Sequence, residues 1–237
     1  MRLTGFSSPL AELAGMQTAE RVVLRARVPL RAQLPVRRPK LLGGADGNAR
    51  LTSLVGAALL VLLAVEGATI PFLGALLSVH IFVGMLLLGP VALKLAAVGY
   101  RFARYYTRGP EYLRHGPPAL PMRLVVAPVL VLSTLTLFGT GVLLIATSHR
   151  GLLLGLHKAS FIVWVGAMSI HVLVNALRAG RHLLAELNFK GARRFDGAVG
   201  GRVLRVSLLL VSLAAGVAVA IATYPLASPW LHRHWGG

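Results

Sequence analysis

His157 and His171 stand fourteen positions apart within one apolar segment, and His80 lies near the start of another. An imidazole nitrogen is a common ligand for metal-centred cofactors. On a helix, fourteen steps advance about 21 Å and turn through about 1400°, which leaves both rings within about 40° of one face. That is the geometry for two cofactors held at two depths. Ionisable groups inside a membrane helix are costly and by default face a bundle interior or a water-filled cavity. Glu66, Lys94 and Lys158 therefore join the three histidines as the candidate site residues.

The elements that carry these residues follow from composition. The chain has 237 residues, of which 56% are hydrophobic, and its mean hydropathy is +0.72. These values are too apolar for an ordinary soluble domain and predict an all-α integral membrane protein. The formal charge of +18 raises nucleic acid as a partner, but the basic residues concentrate in loops, as they do on the cytoplasmic side of membrane proteins. Nucleic acid is excluded on that ground, and membrane lipid is the expected partner. The chain contains no cysteine, which removes disulfides, iron–sulfur clusters and covalent CxxCH haem attachment. Any haem must be held without covalent bonds.

Residues 1–48 carry Arg21, Arg25, Arg27, Arg31, Arg37, Arg38 and Lys40 among Pro29, Pro35 and Pro39. This composition predicts a basic, mostly disordered cytoplasmic tail, although an over-extended start would look the same. Five apolar runs follow, near 51–73, 76–99, 123–147, 153–176 and 204–225, each close to the roughly 20 residues that cross the hydrocarbon as a helix. The links after the first and third are short enough to be tight turns between antiparallel neighbours. The predicted fold is an antiparallel four-helix transmembrane bundle over 49–178. Residues 179–237 then supply a loop, a fifth, peripheral transmembrane helix and a short external tail. The tail and the loops at 100–122 and 178–203 hold most of the arginines, so they belong on the cytoplasmic side of a bacterial plasma membrane, with the C-terminus external. The second and fourth helices then run parallel.

Parallel helices place His80 and His157 at one depth near the outer surface, where together they can ligate one iron. Lys94 follows His80 by fourteen residues as His171 follows His157, so the inner level pairs a lysine with a histidine. Asn175, one turn beyond His171, offers no comparable ligand. Gly84, one turn from His80, and Gly155 and Ser160 beside His157 leave room for a flat cofactor, although small residues also serve plain helix packing. Gly89-Pro90 should bend the second helix. Glu66, near the depth of His80, can exchange protons, accept a hydrogen bond from an imidazole, or pair with Lys158. For RFARYYTRGPEYLRH at 101–115 the reading is an interfacial belt, with partner docking as the alternative.

LSVHIFVGMLLLGPVALK, YRFARYY, the GPP at 116–118, LHKASFIVW and SIHVLVNAL resemble cytochrome b-like four-helix membrane proteins of GC-rich bacteria. More broadly they are similar to the haem-bearing membrane subunits of hydrogenases and formate dehydrogenases. The resemblance covers roughly residues 50–178. It implies haem b ligated by His80 and His157, with His171 as a further candidate ligand, and electron exchange with a quinone or a redox partner subunit. Lys94 departs from the di-haem pattern, so one haem is expected before two. A cofactor-free membrane anchor or assembly subunit on the same bundle is the alternative. A proton-coupled transporter is a weaker one, since five helices without an internal repeat offer no alternating-access architecture.

Overall fold

The computed structural model of the chain describes residues 43–114, 120–147, 151–187 and 201–231. Among the described residues every regular element is helical. Gly44–Thr69 forms α1, and a single 3₁₀ turn at Ile70–Phe72 leads into α2, Leu73–Tyr106. A short helix α3 at Pro110–Arg114 and a π turn at Met122–Val126 precede α4, Ala127–Thr147. The last elements are α5 at Gly151–Leu187, α6 at Arg202–Thr223 and α7 at Ser228–Leu231.

Four stretches are long and apolar enough to cross a membrane: Gly44–Tyr106, Met122–Thr147, Gly151–Ala176 and Arg202–Leu231. The expectation of five separate spans is corrected in that form. The link between the first two apolar runs is itself helical, with Pro71 in the first turn of the 3₁₀ segment, so helical backbone continues through 63 residues. Non-helical dihedrals at Phe72 and Leu76 fold this stretch back on itself. Asn48 Nδ2 donates to the Ala97 carbonyl across the resulting hairpin at 3.1 Å.

The helix ends also differ from expectation. Residues 44–48, placed by sequence in the tail, form the first turn of α1, with Gly43 in the left-handed region at φ 82° and Asp46 near the positive end of the helix dipole. The rest of the expected tail, the GPP at 116–118 and much of the 178–203 loop lie outside the described residues. α2 continues to Tyr106 and α5 to Leu187 because neither polar extension contains a proline to stop it. α2 stops where Arg108 takes a left-handed φ of 55° and Gly109 N–H bonds back to the Arg104 carbonyl at 2.9 Å. Glycine normally fills such a position, since a side chain there costs about 1 kcal/mol. Arg108→Gly is therefore expected to stabilise the chain by about that amount in neutral detergent, read as a higher midpoint of thermal unfolding.

α1 packs on α2 and α5, α4 packs on α5 and more lightly on α2, and these four helices close a ring. α6 lies outside the ring but is closely seated on α2. Gly89 faces the Ser212 carbonyl and Gly216 faces the Leu86 carbonyl, so closely that a Cβ on either glycine would lie 2.0 or 2.1 Å from that oxygen. Pro90 explains part of this contact. It lacks the N–H that would bond Leu86 O, and Gly216 brings its Cα against the carbonyl left over. α2 runs through a buried Pro90, and the non-helical dihedrals inside it fall at Leu76 rather than at Gly89-Pro90, where a bend was expected. α6 also holds a fully buried ionisable residue, Arg205. Lipid tails are as apolar as leucine, so such close contacts and interhelical hydrogen bonds hold the bundle, while residues such as Ile162 and Leu173 remain exposed at 71% and 81%.

Candidate functional site

His80 lies two turns into α2, beside the end of α1. Its Nδ1 is 2.9 Å from Glu66 Oε1 and 3.0 Å from Thr69 Oγ1. The Thr69 hydroxyl is 2.6 Å from the Glu66 carbonyl oxygen, a contact that anchors it at the end of α1. Glu66 therefore meets His80, one of the roles expected of it, and does not pair with Lys158, which is exposed on α5. Gly84 faces the same carboxylate, and a Cβ there would lie 3.4 Å from Glu66 Oε1, at van der Waals contact.

His157, in the second turn of α5, is held in the same manner from α4. Its Nδ1 lies 3.1 Å from the Leu137 carbonyl and 3.1 Å from Thr140 Oγ1. A carbonyl can only accept, so this contact places the proton on Nδ1 and leaves Nε2 with its lone pair. Gly141 admits the ring, since a Cβ there would come within 3.3 Å of His157 Cε1. Ser160, buried, turns its hydroxyl back onto the His157 carbonyl at 2.9 Å. Gly155 and Gly139 face open space.

Both rings use Nδ1 for protein contacts, and among the described residues neither Nε2 has a hydrogen-bond partner. Lys94 donates its ammonium to the Thr52 carbonyl, and the absent side chain of Gly56 lets it approach, at 3.0 Å from the would-be Cβ. The His171 carbonyl accepts from Asn175 Nδ2 at 2.8 Å. Among the described residues there is no group of three or more His, Cys, Asp or Glu side chains to hold a bare metal ion, whereas a haem asks the protein for only two axial ligands.

Thr69, Thr140 and the Leu137 carbonyl were not anticipated from sequence. Threonine in an apolar segment is an unremarkable residue until a neighbouring helix supplies an imidazole. Trp164 Nε1, bonded to Thr134 Oγ1 at 3.0 Å, fixes the α4–α5 register below His157. Glu66 Oε2 is a buried oxygen with no hydrogen-bond partner among the described residues.

Four helical stretches long and apolar enough to cross a membrane are those of a multi-pass membrane protein. The chain matches no protein-family model, no curated protein and no solved structure, so the resemblance to cytochrome b-like proteins identifies no family.

Proposed function

We propose that the chain is a b-type cytochrome-like membrane protein that carries electrons within or across a bacterial plasma membrane, with His80 and His157 as axial ligands of one haem b. The observation that carries this reading is the shared arrangement of the two imidazoles. Each is fixed through Nδ1 by an oxygen, Glu66 or Leu137, and each keeps Nε2 for a ligand. Metal-binding histidines are typically oriented in this way through the nitrogen that does not bind the metal. A haem bound there supplies reversible one-electron chemistry. Glu66 and the Leu137 carbonyl orient the rings, Thr69 and Thr140 limit their rotation, and the surrounding helices exclude water. Lys94 stands where a second pair would need a histidine, which supports one haem over two.

In this reading both arms of the Gly44–Tyr106 hairpin cross the bilayer, giving five crossings with the amino terminus cytoplasmic. A membrane quinone or a redox subunit is the electron partner. Purified protein expressed with sufficient haem should show a Soret band and the reduced α band of low-spin bis-histidine iron, with one haem per chain. A colourless, iron-free preparation that takes up no added haem would overturn the proposal. It would favour the cofactor-free anchor, for which the same contacts to Glu66, Thr140 and Leu137 serve as interhelical hydrogen bonds.

A further inference from the structure

One end of α2 runs on past what a bilayer core can cover. Its 34 residues extend about 51 Å, against about 30 Å of hydrocarbon. α1 begins close to the level of Ala97, so the last turns of α2 project beyond it, and α3 folds back to set Tyr112 edge-on against Tyr100 at 6.2 Å.

Two stripes run side by side along this projection. Val98, Phe102 and Tyr106, four residues apart, form one ridge and are 43%, 59% and 54% exposed, with the last two rings 4.4 Å apart. Arg101, Arg104 and Arg108 recur at helical spacing on the adjacent face, the latter two exposed. Glu111 is the one carboxylate between residues 98 and 113. An aromatic ridge in water would be unfavourable, but this one continues the lipid-exposed surface of α2, and a lipid can reach it without leaving the bilayer. The arginines complement a phosphodiester, which a guanidinium can grip through two hydrogen bonds. They disfavour the ammonium of a zwitterionic headgroup.

We propose that this end of α2 is a binding site for an anionic phospholipid, with the phosphate held by Arg101, Arg104 and Arg108, an acyl chain running inward along Phe102 and Val98, and the Tyr106 ring at headgroup level. The inference needs the membrane location of the chain and is independent of haem.

The test uses the full chain in nanodiscs containing equal phosphatidylglycerol and phosphatidylcholine, with the lipids that remain after mild extraction counted by native mass spectrometry. The unsubstituted chain should retain phosphatidylglycerol preferentially. A basic residue near an anionic surface is worth about five-fold in affinity, so R104Q alone should lower that preference about five-fold and R101Q/R104Q/R108Q more than ten-fold. The single variant keeps the test decisive if the triple variant does not fold. F102S/Y106S should weaken retention of phosphatidylglycerol without restoring phosphatidylcholine. Equal retention of the two lipids by the unsubstituted chain would overturn the proposal, as would an unchanged preference in R104Q. So would full displacement of the lipid by inorganic phosphate or by an acidic peptide, since the acyl ridge would then have no part in binding.

Discussion

His80→Ala and His157→Ala should each abolish the Soret and α bands of the haem-loaded protein, whereas His171→Ala should leave them at full intensity. Each of the first two changes removes one of two axial ligands, and a low-spin bis-histidine spectrum needs both. The supporting groups should give graded effects. Thr140→Val leaves the Leu137 carbonyl to orient His157, so the spectrum should persist while haem is lost more readily in competition with apomyoglobin. Glu66→Leu removes the charged acceptor of His80 Nδ1 and leaves only the Thr69 hydroxyl there, and loss of such an orienting partner typically costs a metal site 10–100-fold in affinity. Equal loss of absorbance from all three histidine variants would mean that iron does not sit between His80 and His157. Retention after either His80→Ala or His157→Ala would mean the same.

Much of this arrangement was legible from where the turns fall. An antiparallel pair joined by a tight turn pairs residues equidistant from the turn. Glu66 and His80 are each seven residues from Leu73, and Thr52 and Lys94 are each twenty-one from it. Both pairs meet in the structure. The α4–α5 pair obeys the same rule about residue 149, with Thr134 and Trp164 each fifteen away. Apolar run lengths and the short 70–72 link thus carry the hairpin geometry, and through it the partner of Glu66.

What the sequence could not supply was contact between helices distant in the chain. Nothing in the periodicity of 204–225 says which face of α6 meets α2, since that choice rests on backbone approach at Gly89 and Gly216. Membrane helices are rich in glycine, and no local pattern separates these two from Gly99 or Gly139, which face open space. Arg205 was missed for the same reason. It sits in the first turn of an apolar helix, where arginine ordinarily reaches the interface, and only the packed structure buries it.

That distinction among glycines sets the second large effect. Gly89→Ala would put a Cβ 2.0 Å from the Ser212 carbonyl, and Gly216→Ala would put one 2.1 Å from the Leu86 carbonyl. Both obstacles are backbone, so neither can rotate away. The helices would have to separate by more than about 1 Å to restore ordinary contact, losing dispersion and Cα–H contacts along the seam. Overpacking of this kind costs about 1–3 kcal/mol and sometimes more, and the two sites share one seam, so the double variant should fall short of the sum of the singles. Gly99→Ala is the control. Nothing lies within 4 Å of its would-be Cβ, and alanine in a helix interior is favoured over glycine by about 1 kcal/mol. Unfolding of the detergent-solubilised chain should therefore shift down for Gly89→Ala and Gly216→Ala and slightly up for Gly99→Ala. Matching shifts in all three would show that α2 and α6 do not meet at these glycines. Because α6 stands outside the ring that holds His80 and His157, the folded fraction of both seam variants should keep the haem spectrum unchanged, separating damage to packing from damage to the site.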